Sequence, residues 1–183
     1  MKHLILFPLV LSITFFSVNA NGQVGIQTGA VSLEIKTIDV NNIAINGVTK
    51  DAQVVIDANQ NLSTLTFDPT TIKSDNLEFD EALQEAEYAP FIVEMVLDPF
   101  ELNAISVSKT PATITCVAII NGIVEKLPIQ LTSNMQVGSN SQSYLITGTG
   151  LISLNLFGLK EKLPMLKEDI QFRLTQNITV SAR

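Results

Sequence analysis

The side chains with chemical potential in this chain are carboxylates, one thiol and one imidazole. The imidazole, His3, lies in the N-terminal run, so the remainder of the sequence has no histidine. Ser-His and Cys-His nucleophile pairs and most transition-metal sites need an imidazole as base or ligand, and are excluded there. The thiol, Cys116, stands between Thr115 and Val117 in an apolar stretch, where cysteine acts as a small packing hydrophobe. As a lone cysteine it has no intramolecular disulfide partner. Glu78, Asp80, Glu81, Glu85 and Glu87 fall in a helix-favouring run and read as a solvated helix face. No second ligand cluster accompanies them, and the glycine-bearing loop of a calcium site is missing. Glu94, Asp98 and Glu101 are close enough in sequence to invite a carboxylate-pair reading, but surface charge explains them more simply. No glycine-rich phosphate loop occurs. The pattern predicts no enzymatic activity, metal or cofactor.

The elements that must position these residues are strands. Thr113 to Thr132 places two apolar, β-branched runs around Asn121-Gly122, a pair suited to the positive φ angles of a tight hairpin. Ile45-Asn46-Gly47-Val48 resembles that turn and predicts a second hairpin in an opening meander, with the chain returning as a strand over 52–58. Val31, Leu33 and Ile35 alternate with polar residues, as do Leu65 and Phe67, and then Phe91, Val93, Met95 and Leu97. Each set predicts a strand with one buried face. Ser74-Asp75-Asn76 offers caps for a short helix before Tyr88-Ala89-Pro90. Pro99 and Asn103 punctuate a connection to Ile105 and Val107. Pro128, lacking an amide donor, predicts a bulge or an outward irregularity. Ile146, Gly148, Gly150, Ile152 and Leu154 share one parity, the glycines leaving room or permitting sharp coiling. Residues 157–169 form a connection. The last strand alternates clearly, with Phe172, Leu174, Ile178 and Val180 on one face and Gln176 as the polar exception.

These elements predict an all-β fold with a short helical excursion: an antiparallel eight-stranded β-barrel, or alternatively a two-sheet sandwich. Residues 1–20 have the basic start, apolar core and small residue before Ala20 of a signal peptide. Residues 21–29 read as a flexible leader and 30–183 as one domain, exported to the periplasm or beyond. The net charge of −7 argues against nucleic acid and anionic membranes as partners, and no later segment predicts stable membrane insertion.

Three segments carry a family resemblance. Tyr88-Ala89-Pro90-Phe91-Ile92-Val93-Glu94 resembles a tyrosine-proline lead into a strand, and Ile120 to Ile129 resembles a Gly-Val-Thr-Lys-Pro hairpin with one inserted residue. Leu154-Asn155-Leu156-Phe157-Gly158-Leu159 is similar to an Asn-Arg-Ser-Asp-Phe-Gly segment. In order and spacing they resemble the YceI-like family of lipid- or polyisoprenoid-binding proteins, from about Ala30 to Ala182. The family's Asp-Pro-x-His-Ser stretch and paired helical aromatics are absent, so no polar headgroup contact carries over. The resemblance implies a lipocalin-like barrel holding an isoprenoid or acyl chain. With inward parity it nominates Val93, Met95, Leu97, Ile114, Cys116, Ala118, Ile129, Leu131, Ile146, Leu154, Phe157, Phe172, Leu174 and Ile178 as cavity lining. The alternative is a secreted interaction or envelope-stress domain with a filled core.

Overall fold

The computed structural model describes residues 25–57, 60–96 and 99–181. The segment read as a signal peptide, together with Leu97 and Asp98, lies outside them. The first strand, β1, spans Gly25–Ile38, and its Gly25 to Thr28 already pair with Ser181 to Ile178. The ordered sheet therefore takes in residues read as leader.

Ten strands form one antiparallel, strongly curled sheet. After β1 come β2 (Ala44–Thr49), β3 (Gln53–Asp57), β4 (Leu62–Phe67), the two-residue β5 (Lys73–Ser74) and β6 (Phe91–Val96). They are followed by β7 (Ala112–Ile120), β8 (Ile123–Val137), β9 (Ser141–Ile152) and β10 (Ile170–Ser181). The spatial order is β3-β4-β6-β7-β8-β9-β10-β1-β2-β5. The expected eight-stranded closed barrel is thus corrected to a ten-stranded half-barrel whose edges are β3 and β5. The physical reason lies at residues 50–52. This short link carries the chain from β2 across the seam to the opposite edge, where β3 pairs with β4 rather than with β2. The opening meander accordingly stops after two strands.

Asn121-Gly122 forms the expected hairpin turn, with φ of 53° and 75°. Such paired positive φ values match the twist of the flanking strands. Asn46-Gly47 does not turn. Both residues lie inside β2, where the Asp75 carboxylate accepts hydrogen bonds from Asn46 N (2.8 Å) and Nδ2 (2.9 Å). The Asn46 side chain, and then its backbone, hold the Asp75 pKa below the usual value. Gly47 is required for packing instead, since a Cβ there would sit 2.9 Å from Ile72 Cγ2 and 3.0 Å from Ile35 Cγ1. The turn between β1 and β2 falls earlier, where Asp39 Oδ1 accepts from Asn41 N (2.9 Å) and Ile43 N (2.7 Å).

Pro128 is exposed and outward, but not at a bulge: it pairs with Thr115 in an unbroken ladder. The β8–β9 ladder begins at the next residue, Ile129, a strand margin at which a missing amide donor is tolerated. The helix α1 (Leu77–Glu85) forms where predicted, capped by Asn76 Oδ1 accepting from Phe79 N at 2.9 Å. A second helix, α2 (Pro99–Ser108), occupies the stretch read as a punctuated connection. Its Pro99 stands at the first helical position, where the absent amide costs no helical hydrogen bond. Among the described residues no helix is long and apolar enough to cross a membrane.

Candidate functional site

Register turns the alternating strands into transverse rows of inward side chains. One row runs Ile114, Ile129, Gly150, Phe172, Ile35 and Gly47 from β7 to β2. The glycines are holes filled by their neighbours. A Cβ on Gly150 would lie 2.6 Å from Phe172 Cε1 and Cζ, so the missing side chain is what admits the ring. The adjacent row, Leu131, Gly148, Leu174 and Leu33, is packed likewise, with Ile129 Cγ2 over Gly148. Each fully buried side chain of this size adds about 1.5–3 kcal/mol of hydrophobic stabilisation.

Two small voids remain in series along the interior. The first, about 20 Å³, is bounded by Leu33, Leu65, Val93, Ile120, Leu127 and Phe172 together with Ile35, Phe67 and Ile152. The second, also about 20 Å³, shares Ile35, Phe67 and Ile152 and continues beneath α1 to Phe79, Leu83, Tyr88, Phe91, Leu159 and Leu163. Each has room for about one water, and hydrocarbon walls give a water nothing to bond. Phe67 and Phe91 meet edge to face with centroids 5.2 Å apart. Residues 153–169 act as a plug at this end, with Phe157, Leu159, Leu163 and Leu166 fully buried. Asn121 Nδ2 ties the hairpin tip to the plug by donating to the Phe157 carbonyl at 3.2 Å. Tyr88 Oη is buried without a hydrogen-bond partner among the described residues, and burial pushes its pKa up to about 12.

The opposite end lies under α2, whose Leu102 and Ile105 are buried. Ser106 Oγ is 2.8 Å from the Leu102 carbonyl oxygen and 2.7 Å from Ser133 Oγ on β8. The inward row here is Ser133, Ile146, Gln176 and Val31. A larger concavity of about 580 Å³ is external, crossing the outer face between Glu34, Lys36, Gln130, Thr149 and Arg173.

Of the residues nominated from sequence, Val93 and Phe172 border the first void. Met95, Cys116, Ala118, Ile129, Leu131, Ile146, Leu154, Phe157, Leu174 and Ile178 are buried core side chains, and Ile114 is half-buried. Leu97 is outside the described residues. Phe157 lies in the connection as read, while Leu154, read with the strand parity, is buried from the plug beyond the end of β9. The walls common to both voids, Ile35, Phe67 and Ile152, had the inward parity that marks a strand face, but parity alone does not distinguish a wall from a filled layer. Burial raises the Cys116 thiol to about pKa 11, far from a reactive thiolate. Within the acidic run, Glu78, Glu81, Glu85 and Glu87 are exposed, while Asp80 Oδ1 accepts from Ser74 N at 3.0 Å and so braces the start of α1. Glu94 faces outward on β6, opposite in parity to buried Val93 and Met95, and Glu101 is exposed on α2.

A curled antiparallel sheet around a hydrocarbon interior, with a helix at each end, makes a half-barrel. The fold matches a polyisoprenoid-binding domain from Saccharophagus degradans implicated in plant cell wall breakdown, with a TM-score of 0.62 and 12% sequence identity over 88% of this chain and 100% of that one. It also matches BcnA from Burkholderia cenocepacia, with a TM-score of 0.55 and 13% identity over 80% of this chain and 95% of that one. At such identities the likeness is one of fold. No protein-family model matches the sequence, and no curated protein does. The resemblance read from the hairpin and strand segments is matched by a fold shared over most of the chain.

Proposed function

We propose that this protein, after export, binds a long apolar molecule of isoprenoid or acyl type inside the curl and acts as a carrier or sequestering protein rather than an enzyme. The observation that carries the reading is the pair of apolar voids that share Ile35, Phe67 and Ile152 as walls, in a fold shared with a polyisoprenoid-binding domain. Moving a chain from water into such an interior is worth about 0.8 kcal/mol per methylene before ordering costs. Two voids of about 20 Å³ do not hold a chain as they stand, so loading displaces the shared side chains or lifts α1 and the plug. Freshly purified protein, extracted with organic solvent and weighed intact by native mass spectrometry, tests the reading. The expected result is a stoichiometric apolar adduct recovered in the extract.

The small size of the voids favours a second reading, an exported interaction domain with a filled core. Its signature is an adduct-free mass from freshly purified protein together with no uptake of long-chain isoprenoids or fatty acids on incubation. That pair of results removes the carrier.

A further inference from the structure

Along β10, Gln176 stands between the inward residues Leu174 and Ile178 and is 4% exposed. Its Nε2 has no hydrogen-bond partner among the described residues. A buried amide donor left unpaired is costly, and native structures keep few of them without a use. The location does not demand a polar side chain, because its cross-strand neighbours are Ile146 and Val31. The nearby serines do not explain it: Ser106 and Ser133 meet at 2.7 Å and Ser106 also reaches the Leu102 carbonyl. Opposite Gln176 the β1–β10 register shifts between Thr28 and Val31, a bulge carried by β1 that locally disrupts the ladder beside this side chain.

We infer that Gln176 Nε2 is the donor that receives the polar end of the bound molecule, a carbonyl, hydroxyl or carboxylate oxygen on an otherwise apolar chain. The inference rests on the ligand reading above and adds an orientation and a chemical class. Gln176 lies four residues along β10 from Phe172, about 13 Å at roughly 3.3 Å per residue, and Phe172 borders the first void. The polar end therefore sits beneath α2 and the tail runs toward α1.

The test uses the purified full chain, equilibrated with a hydrocarbon phase containing equal amounts of pentadecane and pentadecan-2-one. The protein-bound fraction is then extracted and its ketone-to-alkane ratio measured by gas chromatography. The wild type is expected to enrich the ketone roughly three- to ten-fold, the worth of one net hydrogen bond. Gln176→Leu should bring the ratio to that of the hydrocarbon phase while retaining alkane uptake. Gln176→Met, closer in shape, supplies the same comparison if the leucine variant does not fold. Equal ratios in wild type and variant overturn the inference and leave Gln176 holding a buried water only, while continued alkane uptake keeps the ligand reading standing. No uptake of either molecule by the wild type overturns both.

Discussion

Phe67→Ala is the sharpest test of the interior geometry. The Phe67 ring is buried and forms part of the wall between two voids of about 20 Å³ each. Truncation merges them through the space the ring leaves, and loses the edge-to-face contact with Phe91 at 5.2 Å. Removing a buried phenylalanine side chain costs about 3–5 kcal/mol, of which the ring pair supplies about 0.5–1.5 kcal/mol. For a domain of this size that is a fall in Tm of roughly 6–20 °C, at about 2–4 °C per kcal/mol. The enlarged hole is lined by hydrocarbon, so it stays dry and accepts an apolar guest. A guest present at about 100 times its Kd returns about 2.7 kcal/mol. The assay is calorimetric or spectroscopic melting of wild type and variant, with and without benzene or a short alkane. A loss below about 1 kcal/mol, or a variant that no guest stabilises, refutes the placement of Phe67 between two interior voids.

The two kinds of crowded interior position are expected to respond alike to added bulk. Gly150→Ala drives a methyl against the Phe172 ring, and Ala118→Phe forces a ring into a fully buried site that borders neither void. Each should cost at least about 1–3 kcal/mol by denaturant titration, with the Ala118 variant the worse; wild-type stability in either would show space that the packing denies. Asn76→Ala removes the cap on Phe79 N and should cost about 1 kcal/mol, measured the same way. At alkaline pH, Tyr88 is raised to about 12 and Cys116 to about 11, both by burial, and burial raises Tyr144 as well. The folded state then binds more protons than the unfolded chain, whose tyrosine and cysteine pKa values lie near 10 and 8.5. The stabilisation is complete below those unfolded values and is lost as pH rises through the folded ones. Absorbance at 295 nm should show both tyrosines titrating above the ordinary range, in step with falling stability; two ordinary titrations in a folded chain would contradict the burial.

Strand parity was legible in the residues themselves, because alternation reports directly which side chains leave water. Leu33 and Ile35, Leu65 and Phe67, and Phe172 and Leu174 all face the interior as their spacing predicts. The Asn121-Gly122 turn was equally legible, since its conformation is a local property of two residues. Local signals failed where a distant partner decided the outcome. Asn46-Gly47 has turn chemistry, yet Asp75 and the side chains of Ile35 and Ile72 hold it in a strand. The stretch from Pro99 to Val107 read as a punctuated connection, yet it is a helix from which Ile105 is buried and Ser106 reaches across to Ser133. Closure was likewise undecidable from strand count, because it depends on where the 50–52 link delivers β3. The interior itself shows the division most plainly. Composition and alternation determined that it is apolar, while only the tertiary register decided that Gly150 makes room for Phe172. Register also left small voids at Ile35, Phe67 and Ile152, and set Gln176 inward without a partner among the described residues. Alternation reports which strand face leaves water; empty space and unmet hydrogen bonds depend on what lies opposite.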